Sequence, residues 1–184
     1  MMPKYLISLL LIVCIFIPLP LVAEALSPGD PAPLFKLKNH RGEEFSLESR
    51  KGKGWTVLYF YPKAETPGCT KQACAFRDSI EKIRTLNAEV YGVSSDKVDK
   101  LSSFHKNHAL RFDLLSDPES EVISDYGAKM PVVGIAKRWT FIIDPDLKIR
   151  AIERDVDPAA DAERVASTLS DLQADSKAVA TGSN

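Results

Sequence analysis

The residues Trp55 to Tyr61 (WTVLYFY) form an unbroken run of β-branched, aromatic and other apolar side chains. A run of this composition is typical of a strand that is buried on both faces of a sheet. Pro62 ends the run, because proline cannot continue a central strand. A helical pattern then begins at Thr66 or Gly68 and reaches about Asn87. Its apolar residues recur every three or four positions, which predicts that one helix face packs against the sheet.

The rest of the chain repeats this alternation of strand and helix. The order predicts one α/β domain over residues 26–173, with a mixed central sheet, an N-terminal β-hairpin and flanking helices. In such sheets the catalytic groups gather beyond the carboxyl ends of strands, and Cys69 lies just past the first buried strand. The other predicted elements are hairpin strands at 34–37 and 44–47, strands at 89–94 and 111–115, helices at 98–108, 119–126 and 158–172, and a second hairpin of 139–143 and 148–154.

Cys69 and Cys74 lie five residues apart at the start of the predicted helix. A cysteine at a helix N-terminus is placed to form a thiolate, which is the reactive form of the side chain. Five positions along a helix separate Cα atoms by about 8.5 Å, whereas a disulfide needs them closer than about 7 Å. The two thiols can therefore pair only if the helix start unwinds. This spacing indicates a working redox pair and argues against a structural disulfide.

The N-terminus has the features of a secretory signal peptide over residues 1–25. Lys4 precedes an almost continuous apolar stretch at 5–17, two prolines follow, and Ala23-Glu24-Ala25 fits a cleavage site. We therefore expect export, into the periplasm of a bacterium, and no stable membrane contact after cleavage. The alternative is an uncleaved anchor at residues 5–23, which is just long enough to span a bilayer. At the other end, the small and polar residues 174–184 predict a disordered tail.

The charge balance argues against several classes of partner. The net charge is −1, and neither a basic run nor an acidic tail is present, so nothing favours nucleic acid. No segment suggests a large apolar interface, and we expect a monomer. His40, His105 and His108 lack the spacing of a metal site and are interpreted as surface histidines. Glu65 is interpreted as part of a solvated loop.

The pattern Pro62-x-x-x-Thr66-x-x-Cys69 resembles the peroxidatic motif of the peroxiredoxins. The longer stretch at 59–78 (YFYPKAETPGCTKQACAFRD) is similar to the branch called bacterioferritin comigratory protein or peroxiredoxin Q. The similarity runs from about residue 26 to residue 172. It includes the stretches GVSSD at 92–96, LLSD at 114–117 and RWTFIID at 138–144.

This resemblance implies a thioredoxin-like fold and a thiol peroxidase that reduces hydrogen peroxide and organic hydroperoxides. It implies that Cys69 attacks the peroxide and becomes a sulfenic acid, which Cys74 resolves as an intramolecular disulfide. Thr66 and Arg138 would hold the peroxide, and Pro62 would shield the thiolate. The family requires no metal and no other cofactor, and an external thioredoxin-like dithiol protein would reduce the disulfide.

Two rival functions use the same cysteines. The first is an exported thiol-disulfide oxidoreductase, although its usual Cys-x-x-Cys motif is absent. The second is a non-enzymatic redox sensor whose disulfide opens a helix. For the peroxidase, export separates the protein from the cytoplasmic thioredoxin that usually supplies electrons to this family. We therefore expect the electron donor to be an exported thioredoxin-like dithiol protein.

Overall fold

Strands and helices alternate along residues 25–181, which is the part of the chain that the computed structural model describes. This order confirms the α/β class predicted from the sequence. A short 3₁₀ turn, Leu47–Arg50, follows the second strand. The strands are β1 (Lys36–Asn39), β2 (Glu44–Ser46), β3 (Trp55–Phe60), β4 (Ala88–Ser94), β5 (Asp113–Ser116), β6 (Trp139–Ile143) and β7 (Ile149–Glu153), and the helices are α1 (Pro67–Thr85), α2 (Val98–Asn107), α3 (Glu121–Asp125) and α4 (Asp161–Thr181).

The strands form one mixed seven-stranded sheet in the order β2-β1-β5-β4-β3-β6-β7. β3, β4 and β5 are parallel to one another, whereas the remaining neighbours are antiparallel. β3 therefore has a parallel neighbour on one side and an antiparallel neighbour, β6, on the other. Phe60 pairs with Trp139, so the end of β3 lies beside the beginning of β6. α1 follows β3 and therefore starts near this end of the sheet, beside the beginning of β6.

Both faces of β3 are covered, which explains why all its residues except Thr56 are apolar. Val57 and Tyr59 contribute to a core shared with α1, α2 and α4. Leu58 and Phe60 contribute to a second core that includes α3 and residues of the N-terminal segment. Because side chains alternate along a strand, a strand between two cores is predominantly apolar.

Tyr59 sets the distance between the sheet and α1. Its ring stacks on Phe76 of α1 with 4.8 Å between centroids, and on Tyr61 with 5.4 Å. Gly92 is its register partner on β4 and leaves the space for the ring, since a Cβ there would lie 2.6 Å from the ring atoms of Tyr59. This aromatic packing holds α1 over the end of β3.

The sequence made one prediction for each end of the chain, and the structure bears on them differently. The predicted signal peptide lies, except for Ala25, outside the described residues. Between residues 25 and 181, none of the helices has the length and hydrophobicity of a membrane-spanning segment. At the C-terminus, α4 continues to Thr181, so residues 174–181 are helical where disorder was predicted. No glycine or proline interrupts the sequence before Gly182, and the Gln173 side chain donates to the Leu86 carbonyl at 2.6 Å.

Two stacked histidines fasten the β1–β2 hairpin to α2. The rings of His40 and His105 lie 3.7 Å apart between centroids and are nearly parallel. His40 is only 6% exposed, so its interpretation as a surface residue was wrong. The hairpin tip folds onto α2 and removes the ring from water. Burial, and then the neighbouring His105, lower the pKa of His40 from 6.5 to about 4, and burial also lowers the pKa of His105.

The folded protein should lose stability as the pH falls from about 6.5 to about 4. In this range the unfolded chain protonates His40 and the folded protein does not, so protons favour the unfolded state. The loss should reach a few kcal/mol, because each unit of pKa difference corresponds to about 1.4 kcal/mol. Urea unfolding of the wild type and of His40→Phe across this range tests the effect. The variant keeps a stacking ring without titrating, and parallel stability curves for the two proteins would contradict the assignment.

Candidate active site

The loop between β3 and α1 is fastened to the two elements beside it. The Ala64 amide donates to the carboxylate of Asp96 at 2.7 Å, just beyond β4. Glu65 adopts a left-handed conformation with φ of 67°. Its carboxylate lies 2.9 Å from the ring of His108 at the end of α2. Glu65 is thus an anchor of this loop and differs from the solvated residue expected. Pro62 opens the loop, where it is half-buried.

The N-terminus of α1 carries Thr66 and Cys69. Thr66 is the N-cap residue, and its side-chain hydroxyl donates to the Lys63 carbonyl at 2.9 Å. Pro67 takes the first helical position, where its missing N–H costs no hydrogen bond. Cys69 is therefore in the first turn, where the helix dipole favours a negatively charged sulfur. Its side chain is 1% exposed, so the sulfur is largely shielded from bulk water.

Arg138 lies directly beside the Cys69 sulfur. Its Nη2 atom is 3.4 Å from Cys69 Sγ, although the two residues are 69 positions apart in the sequence. The antiparallel pairing of β3 with β6 produces this contact, because Arg138 immediately precedes β6. Gly68 leaves room for the guanidinium, since a Cβ there would lie 3.2 Å from Nη2. The sequence predicted that this arginine serves the site, and the structure places the two side chains in contact.

A buried polar chain behind Arg138 was not predicted. Nη1 of Arg138 donates to Gln72 Oε1 at 2.6 Å, and Gln72 Nε2 donates to Asp161 Oδ2 at 2.7 Å. The Thr140 hydroxyl donates to the same Asp161 oxygen at 2.8 Å. Burial raises the pKa of Asp161, although the hydrogen bonds from Gln72 and Thr140 act in the opposite direction. A signal was available in the sequence, since Gln72 is a polar residue on the apolar face of α1 beside Ala73 and Phe76.

Cys69 and Cys74 are both free thiols in this structure. α1 is continuous across them, with Cys69 buried and Cys74 half-buried. The intact helix agrees with the spacing argument, because a disulfide between these positions requires the first turns to open. Arg77, one turn after Cys74, donates to the His108 carbonyl at 2.8 Å. This contact links α1 to the same end of α2 that holds Glu65.

A buried cysteine at a helix N-terminus, in contact with an arginine that immediately precedes the neighbouring strand, is typical of thiol-dependent redox proteins of the thioredoxin-like class. The sequence matches the AhpC/TSA family over residues 28–152, and the chain belongs to that family. This confirms the resemblance to the peroxiredoxins and the predicted fold.

Similar proteins place the chain within the family. Peroxidoxin BcpB of Mycobacterium tuberculosis superposes with a TM-score of 0.73 at 35% identity, covering 77% of this chain and 95% of that protein. The Xanthomonas campestris bacterioferritin comigratory protein, described for its alkyl peroxide reduction activity, gives 0.69 at 27% identity over 74% of this chain and 90% of that protein. Chloroplastic peroxiredoxin Q of Suaeda salsa is 41% identical over 132 residues, which are 71% of this chain and 61% of the plant protein. The chain is a peroxiredoxin of the peroxiredoxin Q branch, a thiol-dependent peroxidase.

Gly68→Ala should slow oxidation of Cys69 by peroxide roughly tenfold, because the added methyl displaces the guanidinium of Arg138 from the sulfur. Thermal stability should be unchanged or higher, since alanine favours a helix over glycine by up to about 1 kcal/mol. Stopped-flow oxidation and thermal unfolding measure the two effects separately. Lys71→Ala is the matched control, because Lys71 is an exposed residue of the same helix. An unchanged oxidation rate in Gly68→Ala would show that the guanidinium position does not matter.

Proposed function

We propose that Cys69 is the peroxidatic cysteine of this peroxidase and that Arg138 activates it. The observation that carries the proposal is the 3.4 Å contact between Arg138 Nη2 and Cys69 Sγ at the N-terminus of α1. The guanidinium and the helix dipole both favour the thiolate. Easy ionisation of a thiol does not by itself make a fast nucleophile, because the thiolate of a more acidic thiol is intrinsically less nucleophilic. The same guanidinium must therefore also act on the peroxide.

In the first step, the thiolate sulfur attacks the terminal oxygen of a hydroperoxide ROOH. A sulfur–oxygen bond forms and the O–O bond breaks, so Cys69 becomes a sulfenic acid. The leaving group RO⁻ takes a proton from solvent to give ROH. Arg138 donates to the leaving oxygen and stabilises its developing negative charge. The Thr66 hydroxyl has its hydrogen on the Lys63 carbonyl, so its oxygen can accept the O–H of the peroxide. Pro62 shields the thiolate.

In the second step, the Cys74 thiol attacks the sulfur of the Cys69 sulfenic acid. A disulfide forms and water leaves, so the two-electron oxidation is now stored as the Cys69–Cys74 bond. The first turns of α1 must open for this step. The contacts of Glu65 and Arg77 with the end of α2 hold this region closed in the reduced protein. Reduction by an external dithiol restores both thiols and the helix.

The burial of Cys69 favours small peroxides as the oxidant. A sulfur on a residue that is 1% exposed is shielded from a disulfide on a protein surface, and a small hydroperoxide needs the least opening to approach it. The substrates proposed are hydrogen peroxide and organic hydroperoxides, in line with the alkyl peroxide reduction described for the Xanthomonas relative. The sequence features at 1–25 support export, and we propose a monomer because no segment of the sequence suggests a large apolar interface. Its electron donor would be an exported thioredoxin-like dithiol protein.

Arg138→Ala should lower the second-order rate constant for Cys69 oxidation by 100-fold or more, roughly the cost of losing one donor to a developing oxyanion. Stopped-flow mixing of the reduced protein, lacking residues 1–25, with hydrogen peroxide and with cumene hydroperoxide measures it. Arg150→Ala is the control, because this arginine pairs with Asp144 on the sheet and does not contact Cys69. A wild-type rate no better than that of free cysteine would overturn the peroxidase assignment for Cys69.

Cys74→Ser should leave the first step unchanged and abolish the second, because serine cannot form a disulfide. The Cys69 sulfenic acid should then persist and over-oxidise to sulfinic acid as peroxide is added. Intact-mass spectrometry after trapping with dimedone detects both products. If Cys74→Ser instead loses the initial reaction with peroxide, the roles of the two cysteines are wrongly assigned.

A further inference from the structure

We infer that Asp161 is a positioning residue for the peroxidase reaction, which fixes the amide orientation of Gln72 and thereby holds Arg138 on Cys69. The inference rests on the proposed function, since it concerns the arginine that acts on the peroxide. Asp161 opens α4 and forms no hydrogen bond with Cys69 or Arg138. Its influence passes through one buried side chain.

The two ends of the Gln72 amide are chemically different, and only one orientation serves Arg138. A guanidinium only donates, so it must face the amide oxygen, and the observed Nη1–Oε1 distance is 2.6 Å. The amide nitrogen then points the other way, to Asp161 Oδ2 at 2.7 Å. Gln72 is completely buried, so water does not compete for either end. An acceptor at position 161 therefore selects the productive orientation.

Asp161 Oδ2 is itself held as an acceptor from two sides. The Thr140 hydroxyl on β6 donates to it at 2.8 Å, opposite the donor from α1. The other carboxylate oxygen, Oδ1, is buried without a hydrogen-bond partner. If the carboxyl binds a proton, Oδ1 can carry it, and Oδ2 still accepts from Gln72 and Thr140. The Asp161 carboxyl group can therefore orient the Gln72 amide whether it is ionised or protonated.

The consequence for catalysis follows from the two ends of the guanidinium. Nη1 is anchored on Gln72 and Nη2 points at Cys69 Sγ, so fixing one nitrogen fixes the other. Without an acceptor at position 161, the Gln72 amide can turn over and present N–H groups to the guanidinium. Arg138 then loses its anchor and moves away from the sulfur and from any peroxide bound there.

The test compares two changes at one position. Asp161→Ala removes the acceptor and should slow Cys69 oxidation by hydrogen peroxide roughly 10- to 100-fold, the expected cost of a misplaced catalytic group. Asp161→Asn should stay within about threefold of the wild type, because its amide oxygen can accept from Gln72 and Thr140. Alkylation of Cys69 by iodoacetamide needs no positioned peroxide and should change much less than oxidation in either variant.

A matched control separates positioning from helix packing. Glu163 lies two residues further along α4 and joins it to α1 through Ser79 and Lys82, away from Gln72. Glu163→Gln should leave the oxidation rate within about threefold of the wild type, although it weakens the same helix contact. If it slows oxidation as much as Asp161→Ala, the effect belongs to α1–α4 packing and the inference fails.

A double-mutant cycle tests the route through Gln72. Gln72→Met fills the same space without an amide, and Asp161→Ala added to it should cause little further slowing. Independent, additive effects would overturn the inference, as would equal slowing by Asp161→Asn and Asp161→Ala. Should Asp161→Ala not fold, Thr140→Val frees the same carboxylate and should slow oxidation several-fold in the wild type but not in Gln72→Met.

A readout without peroxide keeps this inference distinct from the proposed function. In ¹⁵N-labelled protein, the Gln72 side-chain NH₂ should be protected from hydrogen exchange in the wild type and Asp161→Asn, and unprotected in Asp161→Ala. Equal protection in all three proteins would refute the amide orientation by Asp161, whatever the peroxide rates. A slow wild-type reaction with normal Gln72 protection would instead refute the role given to Cys69.

Discussion

The contact between Arg138 and Cys69 is the interaction on which the proposed function depends. It joins the residue before β6 to the first turn of α1, and it forms only because β6 pairs antiparallel with β3. The sheet therefore does more than support the cysteine. It delivers a permanent positive charge to the buried sulfur of Cys69 at the N-terminus of α1, where charge and dipole act in the same direction.

The site has two requirements that oppose each other. Reaction with peroxide needs an ordered first turn in α1, whereas a Cys69–Cys74 disulfide needs that turn to open. Two contacts with His108 at the end of α2, one from Glu65 and one from Arg77, keep the start of α1 ordered. These contacts are partly exposed, so each contributes modestly to stability. A region held by such contacts can open without unfolding the aromatic core around Tyr59 and Phe76.

The residues that sequence reasoning identified share a local or strongly patterned signal. The buried strand before Pro62, the helix that starts near Thr66 and the spacing of the two cysteines are all readable from neighbouring residues. The residues it missed or misread depend on contacts that are distant in the sequence. His40 is buried only because the hairpin tip meets α2. Gln72 and Asp161 are 89 positions apart and become partners only when α4 packs beside α1. Where the helical extension begins, Gln173 likewise bonds to the distant Leu86 carbonyl at the end of α1.

The sequence by itself determined the alternating α/β architecture and the position of Cys69 at a helix N-terminus. It also determined that two thiols five residues apart cannot pair across an intact helix. These properties follow from periodicity, composition and helix geometry, which act over a few residues. Only the tertiary structure decided the rest: the contact of Arg138 with the sulfur, and the buried acceptor at Asp161 behind it. Hydrogen-bond geometry of this kind depends on tenths of an ångström between distant segments, and no local pattern specifies such distances.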